Sequence, residues 1–459
     1  MRVGVVTLGC DKNTVDSERY LAELVAHGAE PVSTLDSADI IIVNTCGFID
    51  AAKKESIDEI VAASHLKSKG ICRAVIAVGC MVQRHKAELE AAIPEVDLFI
   101  GAGEADRLIP EMVARGWLES ELYEHPGERV FVGDLPHVRY LKISEGCDHG
   151  CAFCAIPLMR GKHRSFALDD IVREAQLLEL QGAREINLVA QDLAHYGRDR
   201  RDGVSLTEVL EKLVAETSIP WIRMLYLYSA GITPSLLECV SREARIVKYL
   251  DMPMQHGSDP VLARMRRPER AATIRRTVER VRDAIPDITI RTTCIVGFPG
   301  ETDEDYQRLL DLLEEVQFDR VGAFTYSAQE GTRAAELPDD VPEPVKRERL
   351  ERLTELQRGI TAERYSRYVG LTVPAIVDRV TGDGLEARLQ CQADDIDGQA
   401  FVRGAAPPGS IIAVHVDEVV DDYDFRGSMR AELNALPPKA AQTTRRALPV
   451  ATSMSSWGR

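Results

Sequence analysis

The chain has 459 residues, enough for about two to four domains that each bury a core without staples. It is 45% hydrophobic and 28% charged, which excludes wholesale disorder, collagen and simple repeats. With a formal net charge of −17, a long-range pull toward a phosphate backbone is not expected, though a local basic groove stays open; the acidity suits basic partners or simply keeps the chain soluble.

The chain starts MRVGVVTLGC, a short apolar run leading straight into a cysteine. It reads as a first strand, not a signal peptide. No apolar run reaches the ~18 residues of a membrane span, so the expected location is the cytoplasm, with no membrane partner. Residues 1–125 alternate strand and helix. RVGVVTLGC, ADIIIVNTC and RAVIAVGC are Val/Ile-rich, as strands buried on both faces require. Helical patterns over Ser17–His27 and Asp50–Lys69 separate them. This βαβ rhythm predicts a parallel sheet.

Residues 120–139 carry charge and Pro126, Gly127 and Pro136, and read as a linker with a short entry segment. Strands are expected at Arg139–Ile143, Glu185–Ala190, Trp221–Leu227, Ile246–Asp251, Ile288–Ile295 and Arg320–Tyr326. Helices are expected at Leu168–Gln181, Leu206–Glu216, Ser235–Arg245, Ala271–Ala284 and Asp303–Val316. Six such units suggest a partial (β/α)6 barrel with its active site at the strand C-termini. A long charged helix spans 341–368. Short strands follow at Thr372–Arg379, Leu385–Leu389, Ala400–Val402 and Ile411–Val420, the pattern of a small OB-like β-barrel. The tail 435–459 is rich in Pro, Ala, Ser and Thr and is expected to be disordered. The fold class is therefore α/β, with an N-terminal parallel-sheet domain, a partial barrel and a C-terminal β-barrel.

Ten cysteines are present and are expected to be reduced thiols. Cys147, Cys151 and Cys154 form C-x3-C-x2-C on one loop after a predicted strand. Three thiolates there can hold three irons of a 4Fe-4S cluster and leave one iron open. Zinc with His149 or His163 as a fourth ligand is the alternative, and a C-x-x-C dithiol is a weaker one. Cys10, Cys46 and Cys80 each end one of the three N-terminal strands. Ligands gather outside strand carboxyl ends in parallel sheets, so these three can converge on a second metal cluster. Three buried core thiols are the bland alternative. Cys72, Cys239, Cys294 and Cys391 show no grouping and read as core residues. Thr293–Thr302 is a Gly-rich strand-to-helix turn, and Gln191-Asp192 sits on the same predicted rim.

At Cys147–Cys154 the sequence resembles the radical S-adenosylmethionine (SAM) superfamily. With the N-terminal triad the resemblance narrows to the methylthiotransferase family and covers about residues 1–434. It implies a methylthiotransferase domain over 1–125, a radical SAM core over 133–363 and a TRAM domain over 366–434. Glu145-Gly-Cys147, Cys154-Ala-Ile-Pro157 and Arg160-Gly161 look like this family. One branch modifies isopentenyl-adenosine in transfer RNA; the other modifies an aspartate of ribosomal protein S-twelve. Gly9-Cys-Asp-Lys-Asn13 with Val15–Glu18, Asn44–Ile49 with Glu55-Ser56, and Tyr249–His256 look like the protein-modifying branch. The transfer-RNA branch usually shows Gln-Met-Asn after the first cysteine. One departure stands out: where the family usually shows Ser-Arg after Arg160-Gly161, Ser165 is followed by Phe166, with Arg164 as a replacement candidate. Residues 366–434 hold six Arg, no Lys and twelve Asp plus Glu. An acidic domain suits a basic ribosomal protein better than RNA.

The resemblance implies that Cys147, Cys151 and Cys154 hold the SAM-binding cluster, and that Cys10, Cys46 and Cys80 hold an auxiliary 4Fe-4S cluster carrying the sulfur. It places Phe153 along the adenine and makes Gln191, Ile295 and Gly297 SAM contacts. No catalytic residue beyond the cluster ligands is assigned. Two SAM molecules would be used, one as the source of a radical that takes hydrogen from the aspartate β-carbon, the other as methyl donor. The implied partners are ribosomal protein S-twelve, free or in the small subunit, and a flavodoxin or ferredoxin as electron donor; a monomer is expected. The rivals are a transfer-RNA methylthiotransferase and, outside enzymes, a zinc-stabilised ribosome-binding module.

Overall fold

Apolar β-branched residues build the first sheet of the computed structural model, which describes residues 1–119 and 129–434. Residues 120–128 of the predicted linker, and the tail predicted to be disordered, lie outside the described residues. Strands β1 (Arg2–Thr7), β2 (Glu30–Pro31), β3 (Ile40–Thr45), β4 (Ala74–Gly79) and β5 (Leu98–Gly101) pair in parallel in the order β2-β1-β3-β4-β5. Every residue of β3 and β4 is buried, because helices cover both faces. Helix α1 (Asp11–Ala26) packs Leu21 and Leu24 on one face; α2 (Asp50–Ser68) and α3 (Cys80–Ala92) pack Ile60 and Val82 on the other.

A second, open sheet holds six parallel strands in the order β13-β12-β11-β10-β9-β6. They are β6 (Val138–Lys142), β9 (Glu185–Val189), β10 (Trp221–Met224), β11 (Ile246–Asp251), β12 (Thr289–Val296) and β13 (Arg320–Thr325). Between β6 and β9 lies a short antiparallel ribbon, β7 (Ser144–Glu145) with β8 (Arg164–Ser165). The C-terminal strands β14 (Thr372–Thr381), β15 (Gly384–Leu389), β16 (Ala400–Arg403), β17 (Ile411–Val420) and β18 (Asp424–Asn434) close into a barrel.

The units share a core. Val15 of α1 packs with Val189, Trp221, Val247 and Tyr249 of the open sheet and with Ile376, Ala393 and Ile411 of the closed barrel. At the floor, Arg388 pairs with Glu185 at 2.7 Å, and the Tyr249 hydroxyl donates to Asp397 at 2.5 Å. At the opposite end, Arg84 of α3 donates to Gln329 Oε1 at 3.2 Å and to the Glu330 carbonyl at 2.7 Å. The N-terminal domain thus sits over the strand C-termini, which form the mouth of a cleft.

Candidate active site

Cys10 follows β1, Cys46 follows β3 and Cys80 opens α3 directly after β4, so neighbouring parallel strands deliver all three. Thr45 lies opposite Gly79 in register, which sets Cys46 level with Cys80. Side-chain amides stitch the loops. Asn13 Nδ2 donates to the carbonyls of Leu8 at 2.7 Å and Thr45 at 3.1 Å. Asn44 Nδ2 donates to the Asn13 carbonyl at 2.9 Å. Ser56 Oγ clamps Cys46 from both sides, accepting from its N–H and donating to its carbonyl, each at 2.9 Å.

Cys147, Cys151 and Cys154 follow the β7 strand. The Cys147 N–H donates to the Gly161 carbonyl at 3.1 Å, and the Ala152 N–H donates to the Met265 carbonyl at 2.9 Å. His149 stacks on Tyr228 at 4.0 Å between ring centroids, and its Nε2 lies 2.7 Å from Asp192. His163 lies 3.1 Å from Ser165 Oγ. Among the described residues, neither candidate zinc histidine groups with the cysteines; His149 instead has Asp192 and His195 within 4.8 Å. Among the described residues, no three cysteine sulfurs fall within 4.8 Å of one another. One zinc with Zn–S bonds of about 2.3 Å would draw its sulfurs to within about 4 Å. Neither triad is drawn in tightly enough for a single ion, whereas a 4Fe-4S cluster takes one thiolate per iron corner and sets its sulfurs further apart.

Each triad also has an arginine on one sulfur. Arg160 Nε donates to Cys80 Sγ at 3.1 Å, and Arg267 Nη1 to Cys151 Sγ at 3.7 Å. Such cations suit an anionic cluster. Burial raises the thiols: Cys80 and Cys147 to about 11, Cys46 and Cys154 to about 12. Metal loading must displace these protons. The six clustered cysteines include all five that are not buried; Cys72, Cys239, Cys294 and Cys391 are buried, in line with core roles.

Arg160 joins the two sites. Beyond Cys80, it donates to Asp16 Oδ2 at 2.6 Å and lies 3.3 Å from Glu145, two residues before Cys147. Lys142 Nζ pairs with the same two carboxylates at 2.5 Å each. Burial opposes ionisation of Asp16, but Lys142 and Arg160 outweigh it and hold the carboxyl down at about 2. Sequence reasoning placed Arg160, and Asp16 within Val15–Glu18, in family motifs without a role, and missed Lys142. A lysine at the end of the apolar strand VRYLK was the available signal.

The expected SAM contacts are distributed unevenly. Phe153 and Ile295 pack on one apolar cluster with Val261, Met265 and Phe298. Gln191 Nε2 donates to Glu145 at 2.9 Å, while its Oε1 is buried without a partner, an acceptor left for a ligand. Gly297 has φ +70°, and a Cβ there would lie 2.3 Å from Lys346 Cγ, so its missing side chain makes room for that lysine. Phe166, where the family shows arginine, is flanked by Arg19 and Arg164, each 5.4 Å from its ring centroid. Arg164 is exposed and takes no place beside the cysteines; Arg160 does.

Family models match the three units in order. Residues 2–101 match "Uncharacterized protein family UPF0004", 141–313 the radical SAM superfamily and 369–429 the TRAM domain. Two solved structures of the radical SAM methyltransferase TsrM from Kitasatospora setae share the fold, with TM-scores of 0.52 and 0.53 at 12% and 14% identity. They align over 71% and 70% of this chain and 74% and 72% of their own. Fold and site define a radical SAM enzyme, a class that works with SAM and 4Fe-4S clusters. Among curated relatives, the ribosomal protein uS12 methylthiotransferase RimO of Geobacter sulfurreducens is 43% identical over 93% of this chain and 98% of its own. That of Anaeromyxobacter sp. is 41% identical over 98% of this chain and 99% of its own. The chain belongs to the RimO family of ribosomal protein uS12 methylthiotransferases.

Proposed function

We propose that this chain inserts a methylthio group at the β-carbon of an aspartate of ribosomal protein uS12. In this reading Cys147, Cys151 and Cys154 hold the SAM-binding 4Fe-4S cluster, and Cys10, Cys46 and Cys80 hold an auxiliary one. The observation that carries it is the Arg160 bridge from Cys80 to Glu145 beside Cys147, which joins two open cysteine triads across one cleft. Radical generation alone needs one such site; sulfur transfer needs a second facing it.

The bound cofactors supply one-electron cleavage of one SAM, which allows hydrogen to be taken from a carbon with no useful acidity, and methyl transfer from a second. The chain's residues bind and orient. Phe153 and Ile295 offer an apolar wall, and Gln191 Oε1 a free acceptor. Arg160 and Arg267 offset cluster charge at Cys80 and Cys151. The closed barrel's acidic balance favours a basic protein partner through complementary steering. A monomer in the cytoplasm, fed by a flavodoxin or ferredoxin, completes the reading. No helix among the described residues is long and apolar enough to cross a membrane.

The test is anaerobic turnover of the reconstituted enzyme with SAM and reductant. Protein uS12 and isopentenylated transfer RNA are offered together and both are analysed by mass spectrometry. A methylthio mass gain on an aspartyl peptide is expected; a gain on RNA alone overturns the reading. Cys147→Ala should abolish SAM cleavage. Cys46→Ala should keep cleavage and lose sulfur insertion, and retained methylthiolation there would refute the auxiliary role.

A further inference from the structure

Three lysines are buried among the described residues, and two have carboxylate partners. Lys142 pairs with Asp16 and Glu145, and Lys346 with Asp339 and Glu343. Lys12 does not. It is 7% exposed, and no carboxylate among the described residues lies within the 4.0 Å of an ion pair. Its ammonium instead rests 3.1 Å from the centroid of the Tyr226 ring. Nearby carboxylates are already taken. Asp11 accepts the Tyr226 hydroxyl at 3.2 Å, and Asp251 pairs with Arg291 at 3.0 Å and accepts the Tyr226 N–H at 3.3 Å. An aromatic face offsets only part of the cost of burying a cation. Cys10, Asp11 and Asp251 attract the ammonium through space without a direct bond to it, and an anion arriving from outside can complete the site.

The place fits such an anion. Lys12 is two residues beyond Cys10, and Tyr226 lies just past the C-terminal end of β10, at the cleft mouth. Tyr226 has φ +66°, left-handed backbone that a bulky side chain rarely adopts, and this turn lifts its ring beneath the ammonium. A substrate residue brought up to Cys10 comes near this ammonium, which stands two residues along the same loop-to-helix junction. If it is an aspartate, its carboxylate adjoins the carbon to be attacked, so anchoring the carboxylate fixes that C–H bond.

We propose that Lys12 is the counter-ion that receives the carboxylate of the target aspartate, and that it sets the preference for an acidic residue over its neutral amide. The inference rests on the reading of the chain as an aspartate-modifying enzyme. It is tested by binding, with the reconstituted enzyme held anaerobic with SAM and no reductant. The probes are fluorophore-labelled uS12 and its target Asp→Asn form. Losing one partner of a desolvated charge pair weakens binding at least about thirtyfold. The wild type should therefore prefer the Asp form by that factor. Lys12→Met, with wild-type iron content, should bind both forms alike, at the wild type's affinity for the Asn form. Lys12→Arg should keep the preference. Equal binding of both forms by the wild type, or equal weakening of both in Lys12→Met, overturns the inference. If Lys12→Met loses iron, the wild-type ratio and Lys12→Arg decide, and a ratio near one in either counts against it. Turnover separates the two failures: modification of RNA and not uS12 removes the proposed reaction, whereas modified uS12 with no Asp preference removes only this role for Lys12.

Discussion

Arg160 carries more of the site than any other non-cysteine residue. Its side chain is 5% exposed and touches the Cys80 sulfur and two carboxylates from two domains. A methionine there would leave Asp16 and Glu145 sharing Lys142 alone. Removing one partner of a buried ion pair costs about 3–5 kcal/mol. Arg160→Met should therefore melt several degrees lower and hold less iron at the N-terminal triad, measured by calorimetry and by iron analysis. Arg160→Lys should restore little, because an ammonium lacks the planar fork that reaches sulfur and carboxylate together. The sign of the pH effect follows from Asp16. Its carboxyl is depressed from 3.8 to about 2, so its contribution is present above about pH 4 and is lost as pH falls through 2. In Arg160→Met that loss should begin at higher pH.

Strand ends are the elements that make the site, and the turn from β4 into α3 is the tightest of them. Gly79 has φ +102°, and a Cβ would lie 2.5 Å from Asn44 Oδ1 and 2.7 Å from the Thr45 carbonyl. Gly79→Ala meets backbone strain and collision together, a cost of about 1–3 kcal/mol. It should lower iron at the Cys10, Cys46 and Cys80 site while leaving the barrel-loop cluster loaded, which iron analysis and electron paramagnetic resonance can separate. Normal iron at the N-terminal site would show that α3 tolerates the shift. Much at this scale was legible in the sequence. Leu206–Glu216, Ala271–Ala284 and Asp303–Val316 have the predicted bounds, because strong apolar periodicity marks them and caps such as Ser205 and Thr302 begin two of them. Helix α3 was missed: its N-cap is a glycine with no side-chain bond, and its first residue is a cysteine. Helix α1 starts at Asp11 rather than Ser17: Asp-Lys-Asn has no apolar periodicity, and tertiary contacts bury Lys12 and Asn13. β18 was missed because DFRGSMRAELN lacks the Val and Ile content that marks a strand. The cysteines were legible because their spacing and strand-end positions are local signals. Arg160, Asp16 and Glu145 were not, since their meeting depends on docking between domains.

At the scale of the whole molecule, the closed C-terminal barrel forms the floor beneath the catalytic strands. Arg223 Nη1 donates to the Gln390 carbonyl at 2.9 Å, and Arg388 ties Glu185 to Asp378. In this polar layer the half-buried Asp394 is the misfit. Its carboxylate accepts the Tyr140 hydroxyl at 3.3 Å. Burial pushes its carboxyl up from 3.8 to about 6, against the pull of Arg388 and with Asp378 and Glu185 adding repulsion. An acid raised on folding stabilises below its unfolded pKa and loses that advantage as pH rises through the folded value. Docking of the barrel floor should therefore weaken between about pH 4 and 6, and the ionised carboxylate then remains a burden at neutral pH. Asn at this position keeps an acceptor for Tyr140 and carries no charge. Asp394→Asn should stabilise the protein at pH 7 by about 1–2 kcal/mol, allowing for solvent screening of a partly exposed group. The gain should vanish by pH 4, where Asp394 is largely neutral on its own. Calorimetric melting of both proteins from pH 4 to pH 8 tests this; a pH-independent difference would mean that packing, not ionisation, governs this joint.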